Sequence, residues 1–134
     1  MADVHGLSNI AVSVAATNAS GGAAALANGI APEGKAPAPA ADATVQALLR
    51  TCAARYGTAR DALSAARDSI AEQDYDYASV HVSAATEYPQ VCKALFRRQR
   101  PGQYPAELAA REEALRQLCF IALDIIALLS NTSN

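Results

Sequence analysis

The residues of this sequence whose type and spacing could do chemistry are three cysteines. Cys52 and Cys92 lie 40 positions apart, and Cys119 follows nearer the C-terminus. Residue 72, midway between the first two, falls in a Glu72–Asp74 break that separates two helical patterns. At about 1.5 Å per residue, both cysteines lie roughly 30 Å from that turn along antiparallel helices. The spacing therefore predicts a Cys52–Cys92 disulfide, which stabilises the fold by roughly 4 kcal/mol in the chain-entropy model.

No other set of residues predicts catalysis or metal binding. The histidines, His5 and His81, are 76 positions apart, and neither has a cysteine or carboxylate at metal-ligand spacing. His81 is interpreted as a partly buried or surface residue. Asp74 with Asp76 suggests a helix-start cap, and the Glu112–Glu113 pair suggests a solvated face rather than acid–base catalysis. The sequence also lacks a phosphate-binding loop and a nucleophile elbow. These features favour a binding protein without a cofactor over an enzyme.

The elements that must position the cysteines are four predicted helices, at about 4–28, 43–71, 76–97 and 105–130. They imply a single domain over 1–134, an antiparallel up-and-down four-helix bundle in the all-α class. The second helix carries a strict heptad. Its members are Val45, Leu49, Cys52, Tyr56, Ala59, Leu63, Ala66 and Ile70.

The other three helices have less regular apolar stripes. The first stripe comprises Val4, Leu7, Ile10, Ala11, Val14 and Leu26, the third Tyr77, Val80, Ala84, Tyr88, Val91 and Leu95, and the fourth Leu108, Leu115, Leu118, Ala122, Ile125 and Leu129.

Several residues mark breaks or ends in these helices. The Gly21–Gly22 pair predicts a kink or fraying of the first helix, and Pro89 a kink or interruption of the third. Residues 31–41 are rich in proline and alanine and predict an exposed loop, after which Asp42 caps the second helix. Pro105 suits the first turn of the fourth helix.

Composition supports the bundle and excludes several classes of partner. Alanine supplies 33 of 134 residues, tryptophan is absent and aromatic residues make up 5%. The net charge of −2 gives no reason to expect a nucleic acid or a membrane surface as partner. The basic cluster of Arg97, Arg98 and Arg100 is interpreted as a solvated helix end rather than an anion site.

Two features of the sequence point to different cellular compartments. The opening residues lack the layout of a signal peptide, and no run is long enough to span a membrane. The predicted disulfide instead indicates an oxidising compartment. Asn18 and Asn131 also begin N-glycosylation acceptor patterns. A longer natural N-terminus would reconcile these observations.

Taken together, these residues resemble the plant invertase and pectin methylesterase inhibitor family over essentially the whole chain. The similarity lies in Leu49-x-x-Cys52-x-x-x-Tyr56, in Asp74-Tyr75 and in Cys92-x-x-x-Phe96. It continues in the apolar ending of the fourth helix from Leu118 to Leu129. The opening residues, 2–7, are similar to pollen-type members described as invertase inhibitors.

The resemblance implies a protein without enzymatic activity that is secreted to the apoplast or cell wall. Such inhibitors bind an invertase or a pectin methylesterase one-to-one and block the substrate cleft. By this resemblance Cys52 and Cys92 match the family's bridge between the second and third bundle helices. Cys119 matches a position where many members have an unpaired, buried cysteine, as its place beside the inner stripe also suggests.

The sequence departs from the family pattern in two places. Members normally begin with a signal peptide and a disulfide-linked helical hairpin, which this sequence lacks; bundle surface left uncovered would favour self-association. Around the second bridge cysteine, Val91, Lys93, Ala94 and Leu95 replace a threonine, an acidic pair and a glycine. Because Val91, Lys93 and Ala94 are the candidate partner-facing residues, this change bears on the target.

One predicted loop bears on whether the target enzyme is a pectin methylesterase or an invertase. Residues 98–104 lack the Pro-Lys-Phe element of invertase-directed members, which favours pectin methylesterase slightly. The alternative is a non-inhibitory paralogue that keeps the bundle as a structural or allergen-like protein.

Overall fold

The computed structural model describes residues 2–27 and 43–133 as four antiparallel α-helices. They are α1 (Ala2–Ala27), α2 (Ala43–Ala71), α3 (Tyr75–Gln99) and α4 (Ala106–Ser133). Each helix packs against two neighbours in the cyclic order α1, α2, α3, α4, so the bundle is up-and-down. The predicted fold class is confirmed. The predicted loop at 31–41 and the Asp42 cap lie outside the described residues.

The seam of α2 is the one that the heptad predicts. Leu49, Cys52, Tyr56, Ala59, Leu63, Ala66 and Ile70 are all buried, and Val45 is partly buried against them. The fourth helix also follows its prediction closely. Leu108, Leu115, Ala122 and Leu129 are buried, together with Cys119 and Ile126.

The predicted stripe of α1 is correct only in part: Leu26 is buried, and Val4 and Ala11 pack partly buried against the core. Leu7, Ile10 and Val14 are exposed, whereas the buried positions follow a heptad of mostly small residues: Ser8, Val12, Ala15, Ala19, Gly22 and Leu26. Ser8 can be buried because its hydroxyl donates to the carbonyl of His5 (2.7 Å). The helix is continuous through Gly21 and Gly22, so it does not fray there.

Gly22 is required by packing rather than by flexibility. A Cβ atom at this position would lie 2.8 Å from Cδ1 of Tyr56, which is fully buried. The missing side chain therefore lets the tyrosine ring lie directly against the backbone of α1. The neighbouring Gly21 faces outward, where a Cβ would meet only Nη1 of Arg111 at 4.0 Å.

The predicted stripe of α3 is wrong in its register, although Tyr88 and Leu95 still pack partly buried against the core. Tyr77, Val80 and Val91 are exposed, and the buried seam consists of Tyr75, Ala78, Val82, Ala85, Pro89, Cys92 and Phe96. The structure places Pro89 inside one uninterrupted helix. The predicted stripe follows the large side chains of α3, whereas two alanines and a proline occupy buried positions of the true seam.

The turn between α2 and α3 needs only residues 72–74. The backbone N–H of Asp74 donates to the carbonyl of Ser69 (2.8 Å), and that of Gln73 donates to the carbonyl of Ile70 (3.0 Å). This pair of bonds is the Schellman motif, with Gln73 in the left-handed region (φ 60°). The Asp74 carboxylate then accepts from the N–H of Tyr77 (3.3 Å), which confirms the predicted cap of α3. So short a turn holds the two helices antiparallel.

The opening of α1 is fastened to the end of α2. Nε2 of His5 donates to the carbonyl of Ile70 (3.1 Å), one of the carbonyls that the last turn of α2 leaves without a helical partner. None of the four described helices is long and apolar enough to cross a membrane.

Candidate functional site

A disulfide joins Cys52 on α2 to Cys92 on α3, as the register about the turn predicts. Their Cα atoms are 5.1 Å apart, and both residues are fully buried. Cys119 on α4 is free and buried, and burial raises the pKa of its thiol to about 11. The bridge therefore fixes the half of α3 that is distant from the turn.

The three candidate partner-facing residues lie on the surface beside this bridge. Because Cys92 and Phe96 point into the core, Val91, Lys93 and Ala94 point outward, and all three are exposed. Leu95 packs partly buried against the core. The surface contains an apolar, a cationic and a small residue on one rigid helix, which suits contact with another protein better than catalysis.

Next to this surface, α3 and α4 enclose a polar groove of about 490 Å³. Its lining comprises Gln90, Lys93, Ala94 and Arg97 from α3, and Ala109, Glu112, Glu113 and Arg116 from α4. Lys93 belongs to both the groove and the surface. No sequence pattern indicated this groove, although the four-residue spacing of Lys93 and Arg97 places them on one helix face.

Glu113, on the α4 wall, already has its partners. Its carboxylate accepts from Nε2 of Gln117 (3.0 Å) and pairs with Nε of Arg116 (3.2 Å). The hydrogen bond from Gln117, followed by the charge of Arg116, lowers the pKa of Glu113. Glu113 is exposed, as predicted for a solvated face.

Glu112 departs from the prediction of a solvated pair. It is partly buried, its Oε2 is buried without a hydrogen-bond partner, and burial raises its pKa. The hydroxyls of Tyr56 and Tyr104 are likewise buried without a partner. Burial is the largest cause that raises the pKa of both tyrosines, and the charge of Glu112 is the next. One oxygen of the Glu112 carboxyl group is therefore buried, although the residue also lines the groove.

The α3–α4 turn forms a second cleft, of about 170 Å³, that shares Lys93 and Arg97 with the groove. The N–H of Gln103 donates to the carbonyl of Arg100 (3.1 Å), and Gly102 takes a positive φ of 78°. The ring of Tyr104 packs edge-on against Phe96, with ring centroids 5.5 Å apart. The turn is thus fixed to the end of α3.

The remaining predicted residues lie apart from this region. His81 is partly buried and stacks on Tyr77, with ring centroids 6.1 Å apart. Asn131 is exposed, whereas the amide oxygen of Asn18 is buried against the bundle. Within residues 2–27 and 43–133, no group of three His, Cys, Asp or Glu residues could hold a metal ion.

Comparison with known proteins adds to this geometry. A family model described as plant invertase/pectin methylesterase inhibitor matches residues 2–125. The chain is 72% identical over 132 residues to pectinesterase inhibitor 28 of Oryza sativa subsp. japonica, covering 98% of this chain and 58% of that protein. It is 38% identical over 125 residues to cell wall / vacuolar inhibitor of fructosidase 2 of Arabidopsis thaliana, covering 93% and 66% respectively. It thus spans less than two thirds of the length of either relative.

Among solved structures, the bundle is similar to the crystal structure of a pectin methylesterase inhibitor from Arabidopsis thaliana. The TM-score is 0.71 at 20% sequence identity, and the match covers 94% of this chain and 78% of that one. At this identity the similarity concerns the fold alone.

Proposed function

Because the chain belongs to the plant invertase and pectin methylesterase inhibitor family, we propose that it is a protein inhibitor of a plant carbohydrate-active enzyme of the cell wall. It binds its target one-to-one and blocks the substrate cleft, and it performs no catalysis itself. Pectin methylesterase is the preferred target over invertase. The observation that carries this preference is the 72% identity to a protein named as a pectinesterase inhibitor, against 38% to one named as an inhibitor of fructosidase.

The docking surface in this proposal is the outer face of α3 around Val91, Lys93 and Ala94. Three features support it: the residues are exposed, they lie on a helix rather than a loop, and the adjacent disulfide holds that helix against α2. A surface that is rigid before binding loses little conformational entropy in the complex. A bundle of this kind can therefore block a cleft without rearrangement.

The proposed place of action is outside the cell, in the wall or apoplast. A buried disulfide fits an oxidising compartment. One relative is named as a cell wall / vacuolar inhibitor, which is consistent with this location.

The deciding experiment measures inhibition of one purified pectin methylesterase and one purified invertase at acidic pH. We expect the methylesterase to be inhibited at micromolar protein or below, with a weaker effect on the invertase. Inhibition of the invertase alone would reverse the choice of target. Inhibition of neither would refute the proposal.

That last result would support the second candidate, a non-inhibitory paralogue that retains the bundle. The observation in its favour is the replacement of an acidic pair and glycine, by resemblance to the family, with Lys93, Ala94 and Leu95. In that case Lys93→Glu, which returns an acidic residue to this position, would not restore inhibition. The rest of the docking surface would also differ from that of inhibitory members.

A further inference from the structure

Basic residues are concentrated in one part of this acidic protein. Residues 90–117 contain six basic and three acidic side chains, a net charge of +3, whereas the whole chain carries −2. The remainder of the chain therefore carries −5. Residues 90–117 form the second half of α3, the following turn and the first half of α4, so they include both walls of the groove.

Helix-dipole stabilisation explains only part of this concentration. Arg97 and Arg98 lie in the last turn of α3, where cations are favourable. Lys93, however, is a turn and a half before the end of the helix. It lies four residues from Arg97 on the same face, an arrangement in which two like charges repel each other. Something other than helix stability must account for this pair.

The groove contains no carboxylate that pairs with these two cations. Across the described residues the structure has two ion pairs, Arg60–Asp61 and Arg116–Glu113. Glu113 is thus engaged with Arg116 and Gln117 on its own helix, although the charge of Lys93 also contributes to lowering its pKa. Glu112 has one buried carboxylate oxygen without a hydrogen-bond partner, and it is close enough for Lys93 to lower its pKa without forming an ion pair. Lys93 and Arg97 therefore line an open groove with their charges unpaired.

We propose that this groove receives an aspartate or glutamate side chain of the target enzyme, held between Lys93 and Arg97. The inference rests on the proposed function, because Lys93 is also part of the docking surface. Arg97 presents a planar fork of donors that matches a carboxylate in two parallel hydrogen bonds, and Lys93 adds a second charge. The small side chains of Ala94 and Ala109 leave the groove open for entry.

The structure separates Arg97 from its basic neighbour. Arg98 is exposed at the same helix end but lines neither the groove nor the adjoining cleft. The two arginines therefore provide a matched comparison: Arg97→Ala and Arg98→Ala remove the same charge from the same helix turn, and only the first removes a donor from the groove.

The test measures inhibition of the pectin methylesterase by the wild type, Lys93→Ala, Arg97→Ala and Arg98→Ala at low and high salt. We expect Lys93→Ala and Arg97→Ala each to weaken inhibition about 10-fold or more at low salt, and Arg98→Ala less than about 3-fold. High salt should weaken the wild type and shrink the difference between it and the two groove variants, because the lost interaction is electrostatic. Thermal melts would show that all three variants remain folded.

Each outcome decides a separate claim. If the wild type inhibits and the three variants behave alike, the groove assignment is wrong while the proposed function stands. If the wild type inhibits neither the methylesterase nor the invertase, both fail. Binding of polygalacturonate that depends on Lys93 and Arg97, with inhibition unchanged in the variants, would assign the groove to an anionic polysaccharide instead.

Discussion

The adjacent glycines of α1 should respond in opposite directions to the same substitution. Gly21→Ala adds a methyl group to the outer face of the helix and should stabilise the protein by about 0.5–1 kcal/mol, the usual gain in helix propensity. Gly22→Ala brings the same gain, but its Cβ would lie 2.8 Å from Cδ1 and 3.2 Å from Cε1 of Tyr56.

The size of the penalty follows from the position of that ring. Tyr56 is fully buried in the α2 seam, so its ring cannot swing into solvent to relieve the clash, which is with one edge of the ring. Overpacking of this kind costs about 1–3 kcal/mol. The two alanine variants should therefore differ in unfolding free energy by about 1–3 kcal/mol, with Gly22→Ala the less stable.

Urea denaturation followed by circular dichroism measures this difference directly. A Tyr56→Ala background supplies the control, because there Gly22→Ala should become stabilising, like Gly21→Ala. If Gly22→Ala stabilises the wild-type background as much as Gly21→Ala does, then α1 does not pack against Tyr56 as described.

Four further predictions test other parts of the structure. Since burial raises the pKa of Glu112, its ionisation should cost stability as the pH rises through that raised value. Glu112→Gln should therefore stabilise the protein at pH 7 and change its stability little at pH 4. Equal changes in stability at the two pH values would contradict a buried carboxyl group. Glu113→Gln is the control and should destabilise the protein at pH 7, because the lowered pKa of Glu113 means that its ionised form stabilises the fold. That stabilisation is lost as the pH falls through the lowered pKa. Gln73→Gly should stabilise by about 1 kcal/mol in thermal melts, because glycine adopts positive φ without strain; a loss would argue against the left-handed turn. Titration of unfolded, unreduced protein should find one free thiol, from Cys119, and three would refute the disulfide. Light scattering should detect self-association through the exposed apolar face of α1, and Ile10→Lys should reduce this self-association. A wild type that stays monomeric at high concentration would contradict the prediction.

How far the sequence predicted each helix seam depended on side-chain size. The seam of α2 contains Leu49, Tyr56, Leu63 and Ile70, which are large and regularly spaced, so its pattern is unambiguous. In α1 the buried positions are mostly Ser, Ala and Gly, and larger residues such as Ile10 remain 61% exposed. Apolar residues are common on protein surfaces, so hydrophobicity alone chose the wrong face.

The correct face of α3 could have been found from the disulfide. Counting back from Cys92 in alternating steps of three and four gives residues 89, 85, 82, 78 and 75, all of which are buried. For α1, the same steps back from Leu26 give the observed seam. A residue known to be buried is thus a better anchor for the register than the largest apolar side chains.

The candidate site was predictable only in part. The cysteine pair follows from helix geometry, and the exposure of Lys93 follows from its place next to Cys92. The groove depends on how α3 and α4 lie against each other. The cysteine pair sets the register of α2 and α3, but no such pair sets the register of α3 and α4. The partial burial of Glu112 likewise depends on how α4 packs against α2 and the α3–α4 turn, which supply Tyr56 and Tyr104 nearby.

The disulfide and the turn at residues 72–74 together make α2 and α3 part of a closed covalent ring. A protease that cuts the exposed turn after Glu72 would open this ring without releasing either piece, since Cys52 and Cys92 would still hold the two pieces together. The nicked molecule would migrate as one species on a gel until the bridge is reduced. This topology therefore allows a single cleavage between residues 52 and 92 without loss of either piece.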